Sequence, residues 1–111
     1  MKSEDPEFRI DDRLREVPVD PQAMRAYWDT LRDCLIVETA PRKRVNLLGG
    51  MGAYSRILGD LDRAEDLLRQ ALGIISQRKL GVGSEIQQKL RLAHVLQWKK
   101  QFTESDRLFS E

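Results

Sequence analysis

His94 and Trp98 stand one helical turn apart in the stretch RLAHVLQWKKQF, Arg91 to Phe102, and His94 is the only histidine in the chain. Imidazole changes charge near neutrality and is the commonest metal ligand, so its neighbours decide what it can do. A zinc site draws three or four ligands from Cys, His and carboxylates; this chain has one histidine and one cysteine, Cys34. General-base work needs a nucleophile or acid within hydrogen-bond reach, and the residues around His94 mark none. His94 is therefore read as non-catalytic, with no metal and no cofactor, and the chain as no enzyme.

Two other clusters invite chemistry. Gly50-Met51-Gly52-Ala53-Tyr54-Ser55 approximates the dinucleotide fingerprint, which works by seating a pyrophosphate at a helix N-terminus after a buried strand. Here Val45-Asn46-Leu47-Leu48 precedes it within a helical period and Ser55 replaces the last glycine. Close helix packing is the better reading, and it would answer the cost of glycine in a helix, about 1 kcal/mol each relative to alanine. Arg42-Lys43-Arg44, with Arg32 and Arg91, forms the one candidate basic patch. Basic charge at a helix start opposes the helix dipole, so it is not there for that helix's own stability. Pairs such as Glu65 and Arg69 have helix-surface spacing and carry no catalytic role.

Composition narrows the partners. Nineteen basic and eighteen acidic residues leave a formal charge of +1, so no global field favours nucleic acid or an anionic membrane. With 41% apolar, 33% charged and 6% aromatic residues over 111 positions, the chain reads as one small helical domain. A lone cysteine agrees with a reducing compartment. No stretch resembles a secretory signal or a membrane span, so the expected location is cytoplasmic, without nucleic acid or membrane as a partner.

The elements that must position these residues are helices. Residues 1–19 carry Pro6 and Pro18 without a sustained period and are expected to be extended or disordered. Asp20-Pro21 supplies an N-cap and a first-turn proline, opening an N-terminal helix over 20–40 with Ala23, Ala26, Tyr27, Leu31, Cys34 and Leu35 on one face. A helical pair is expected over 42–78, broken at Gly59-Asp60. A last unit over 84–111 starts with Ser84 and Gln87 as a capping box, turns near Lys100, and opens a fifth helix at Thr103.

Sliding the chain along itself aligns these helices at a shift of 41 residues, since 64 − 23 = 41 for Ala23 and Ala64. Tyr27, Thr30 and Leu31 then fall on Leu68, Ala71 and Leu72, and Met51-Gly52 on Leu92-Ala93. On these residues, together with Leu48, Gly59, Leu96, Phe102, Ser105 and Phe109, residues 20–111 resemble the tetratricopeptide repeat in a longer-looped form. Lys89, Ser55 and Ser76 depart from that family's pattern. The resemblance implies an all-α, right-handed solenoid of antiparallel helix pairs, about five helices in all.

It also implies a function. The first helix of each unit in that family lines a concave groove, and the matching positions here are Arg56, Ile57, His94, Gln97 and Trp98, with Asn46, Gln87 and Arg91 at its margins. The expectation is a non-catalytic protein-interaction module whose groove takes a peptide or partner protein, with Trp98 as its apolar anchor. Alternatives are homo-oligomerisation through an open C-terminal end at Leu108 and Phe109, and a regulatory fragment of a larger multidomain protein. In a third arrangement the acidic segment from Glu4 to Asp12 lies in the groove in cis, with Phe8 and Ile10 as its apolar teeth.

Overall fold

The structure, a computed structural model, describes residues 5–12 and 15–110, with side chains as far as Gln101. Among the described residues there are two short strands, β1 (Phe8–Ile10) and β2 (Glu16–Pro18), and four helices: α1 (Pro21–Val37), α2 (Pro41–Leu58), α3 (Leu61–Arg78) and α4 (Val82–Ser110). The fold is all-α with a hairpin at its start. Links of two or three residues join the helices, so each must reverse direction and pack on the one before it; α1 meets α2, α2 meets α3 and α3 meets α4.

Local chemistry sets the boundaries. The Asp20 carboxylate accepts from the Ala23 N–H at the start of α1, and Asp60 does the same for Arg63 at the start of α3, each satisfying a donor that a helix leaves without a partner. Gly59, at φ 92°, closes α2 in the left-handed region, where a side chain would be strained. Pro41 opens α2 at a position that needs no N–H. The α4 helix starts at Val82, after Gly81 at φ 108° and two residues before the expected Ser84 cap.

The core is built in two connected parts. Trp28, Val45, Leu48, Met51, Leu67, Ala71 and Ile75 gather between α1, α2 and α3, while Ala64, Leu68, Leu92 and Val95 join α3 to α4. The Trp28 indole N–H donates to Ser55 Oγ at 2.9 Å and to the Met51 carbonyl at 3.2 Å. A small hydroxyl at Ser55 fits because an aromatic from α1 already fills the space and needs an acceptor.

Two expectations are corrected. No turn occurs near Lys100: α4 continues unbroken through Phe102 and Thr103, because Lys99-Lys100-Gln101-Phe102-Thr103-Glu104 contains neither glycine nor proline to stop it. The fifth helix is therefore absent from the described residues, and the side chains of Phe102, Ser105, Leu108 and Phe109 lie outside them. The repeat shift is also 40 rather than 41. Met24, Trp28, Leu31 and Leu35 of α1 match Ala64, Leu68, Ala71 and Ile75 of α3 in facing the core, and Leu48, Gly52 and Ser55 of α2 match Gln88, Leu92 and Val95 of α4. One residue turns a helix by about 100°, so Ala23, Ala26, Cys34, Ala93 and Leu96 are exposed where the shift of 41 placed them inward.

The segment before α1 is an antiparallel pair, with Phe8 opposite Pro18, Arg9 opposite Val17 and Ile10 opposite Glu16. Hydrogen bonds from Val19 N–H to the Glu7 carbonyl and from Asp11 N–H to the Arg15 carbonyl bracket the ladder. Pro18 therefore falls at an alternate, non-hydrogen-bonded position, where its missing N–H removes nothing.

Candidate functional site

The face where α2 meets α4 collects the unusual side chains. It starts from a gap: a Cβ at Gly49 would collide with Arg91 Nη1 and with the Gln88 amide. Glycine in α2 lets two polar side chains of α4 lie against its backbone. Gln88 is fully buried, and its Oε1 accepts from Arg91 Nη1 at 3.4 Å. Burial pushes the Arg91 guanidinium below its ordinary pKa, and the neighbouring Arg56 charge pushes it the same way, while Tyr54 opposes both. Two arginines are thus held within electrostatic reach of one another.

Arg56 is only 7% exposed, an unusual place for a charge unless it is partnered. Its guanidinium carbon sits 4.8 Å from the centroid of the Trp98 ring, within the range of a cation–π contact. On its other side Nη2 donates to both oxygens of Glu16, at 3.2 and 3.3 Å. Arg56 therefore joins three elements, with β2 supplying the anion, α4 the aromatic face and α2 the cation. Arg91 forms no ion pair among the described residues, so this face presents two arginines to one carboxylate.

A second contact seats the start of the hairpin. The Tyr27 hydroxyl donates to Asp5 Oδ1 at 2.9 Å, and this bond to a carboxylate, with smaller help from burial, pushes the Tyr27 pKa up to about 12. The Tyr27 and Tyr54 rings meet edge to face with centroids 5.5 Å apart. Burial raises the Tyr54 pKa, and the Asp5 charge adds to it. The two tyrosines continue the surface from α2 toward α1.

Of the residues expected in a groove, the structure brings Arg56, Arg91 and Trp98 together. Ile57 is as buried as Arg56, but its apolar side chain packs in the interior without a polar partner, so it presents no contact surface, whereas Arg56 reaches Glu16 and the Trp98 ring. Asn46, Gln87, His94 and Gln97 are exposed, and none of them bonds to Arg56 or Arg91 among the described residues. The inward line of α4 is Gln88, Leu92 and Val95, one position away from the line that the shift of 41 selects. Glu16, Tyr27, Tyr54 and Gln88 join the site without standing out in the sequence. For Gln88 the spacing of three to Arg91 is the one sequence signal; Glu16 has none.

No family model, curated protein or solved structure matches the chain. Its site must be judged on its own chemistry.

The other candidates resolve into structural contacts. Arg44 Nη1 donates to the Leu35 and Glu38 carbonyls, and Arg42 to the Leu80 carbonyl, so their charges serve the end of α1 and the loop before α4. Arg32 pairs with Asp29 and Asp33. Arg91 bonds instead to Gln88 on the α2–α4 face. The glycine-rich motif lies in the middle of α2, where Gly52 accommodates Leu68, whose Cγ is 2.8 Å from where a Cβ would be. Among the described residues no group of His, Cys, Asp and Glu is assembled to hold a metal, and no helix is long and apolar enough to cross a membrane.

Proposed function

We propose that the chain is a non-catalytic interaction module with a tetratricopeptide-like, right-handed arrangement of helix pairs, which binds a segment of a partner protein on the α2–α4 face. The observation that carries this reading is the cluster of Arg56, Arg91 and Trp98, in which two arginines and an aromatic ring are gathered where α2 meets α4. Arginine and tryptophan are the side chains most often found to dominate interface energies. Arg56 and Arg91 supply charge and directional donors, and Trp98 supplies area.

The test is affinity for partners recovered by cross-linking in a lysate and then purified. Titration calorimetry should show Kd rising at least about tenfold for Trp98→Ala and for Arg91→Ala, the cost of about 1.4 kcal/mol expected of an interface anchor. Unchanged affinity in both variants for every purified partner would remove the α2–α4 face as the site.

A second reading, self-association, has its own observation. Val82, Ile86 and Leu90 on α4 are 69%, 52% and 62% exposed and follow one another at four-residue steps, an apolar stripe along one helix face. Light scattering separates the readings: a mass that stays monomeric across concentration disposes of this one.

A further inference from the structure

We infer that the N-terminal hairpin is an intramolecular occupant of the partner-binding face, latched by the Glu16–Arg56 ion pair, and that the partner segment displacing it is acidic and extended. This rests on reading the α2–α4 face as a binding surface.

The hairpin is held by charge with little burial, β2 being half-buried against α2 and β1 exposed. Its strands are three residues each, too little sheet to be stable alone. Its large apolar residues do not anchor it: Phe8 is 50% and Ile10 54% exposed, and Val19 is exposed as well. They are not teeth in a groove. What reaches the helices is a pair of carboxylates, Asp5 on the Tyr27 hydroxyl and Glu16 on Arg56, together with the contact of β2 against α2. Such an attachment can be released without opening the core.

The charges on the face say what would release it. Glu16 meets Arg56 alone, while Arg91 beside it has no carboxylate among the described residues. An extended segment bearing two acidic side chains offers one to each arginine, and so gains an ion pair that the hairpin does not make. It competes against a tether of only two residues between β2 and α1, Val19 and Asp20, which keeps Glu16 at high effective concentration. The hairpin thus sets a threshold, and weakly acidic segments fail to cross it.

The experiment uses the full chain with Glu16→Gln and Glu16→Arg, and needs no partner in its first arm. Hydrogen exchange of the Arg9 and Val17 amides, opposite one another in the ladder, should speed at least tenfold in Glu16→Arg and less in Glu16→Gln. The Leu68 amide, in the core, reports that the fold is intact. Strand amides that exchange at the wild-type rate in Glu16→Arg overturn the latch. In the second arm the probe is a fluorescein-labelled peptide with the sequence of residues 5–19, read by anisotropy. The Glu16→Arg chain should bind it at least tenfold more tightly than wild type, and adding Arg56→Ala should abolish that gain. Equal binding by the two chains, or by neither, overturns the claim that an acidic segment takes the vacated place. Should the broader interaction reading fail instead, partner affinities would ignore Trp98 and Arg91 while the exchange result stood.

Discussion

The Arg91 guanidinium lies against the backbone of α2 at Gly49, in the space that any side chain there would fill. That contact separates three helical glycines that composition alone makes equivalent. Gly73 has nothing within 4 Å of the place a Cβ would take and sits on the exposed side of α3, so Gly73→Ala should stabilise the protein by about 0.5–1 kcal/mol. At Gly52 a Cβ meets the branch point of the fully buried Leu68, and overpacking of about 1–3 kcal/mol outweighs the propensity gained. Gly49→Ala meets only the ends of flexible side chains, which can swing away, so its effect on stability should be small and its effect on Arg91 large. Urea denaturation of the three variants checks the order: Gly73→Ala above wild type, Gly49→Ala near it, Gly52→Ala below.

Trp28 ties α1 to α2 through its indole N–H. Trp28→Phe keeps most of the buried ring but leaves the Ser55 hydroxyl and the Met51 carbonyl without that donor, which should cost about 1–3 kcal/mol. Ser55→Ala leaves the indole its bond to Met51 and should cost less. A double-mutant cycle by chemical denaturation should give a coupling of at least about 0.5 kcal/mol; strict additivity would contradict the shared hydrogen bond.

How far the sequence carried the fold can be read from the aspartates. Asp20 and Asp60, both N-caps, lie 60 − 20 = 40 apart, the same spacing as the buried positions of α1 and α3. A shift of 41 also aligns small residues with small ones, because it sets the inward Ala64 and Ala71 of α3 on the outward Ala23 and Thr30 of α1. The positions of α1, α2 and α3 were legible, since caps, glycine and proline act locally, whereas α4 runs on past Lys100 with no such signal. The facing was harder, since it turns by about 100° for each residue of slip; His94 and Gln97 lie exposed on α4 and Ile57 buried in α2. Arg56, Arg91 and Trp98 come together because long side chains reach one another across the α2–α4 face. Glu16 stayed hidden because a three-residue strand has no period to detect, and its partner is 40 residues away.

Lys99 links α4 to α3 by reaching Asp62 at 2.7 Å and Glu65 at 2.9 Å. Its hydrogen bond to Asp62, and next that to Glu65, raises the Lys99 pKa, while the hydrogen bond from Lys99, and next that from Arg69, lowers that of Glu65. The signs give both ends of a stability profile. The Glu65 contribution is present above its unfolded pKa, near 4.3, and fades as pH falls through the lower folded value. The Lys99 contribution is present below its unfolded pKa, near 10.4, and fades as pH rises through the higher folded value. Thermal melts against pH should show Glu65→Gln flattening the acid limb and Lys99→Met the alkaline one. Because these groups are solvated, both effects should shrink in high salt.

The seat of the hairpin has its own spectroscopic reporter in Tyr27, whose hydroxyl donates to the Asp5 carboxylate. Ionising the phenol removes that donor and sets two negative charges side by side, which is why the pKa rises to about 12 from an ordinary value near 10. The raised value makes the contact a stabilising one below pH 10 that is lost as pH climbs toward 12. An absorbance titration of the Tyr54→Phe variant isolates Tyr27. In Asp5→Asn the midpoint should fall back toward the ordinary value, because the carboxylate supplies both the bond and the nearby charge. The charge-reversed Glu16→Arg chain should move the same way, though Glu16 does not touch Tyr27, because lifting β2 from α2 draws Asp5 away with it. A Tyr27 midpoint near 10 in the otherwise unaltered chain would mean that Asp5 does not rest on α1, and the hairpin's first anchor would be lost.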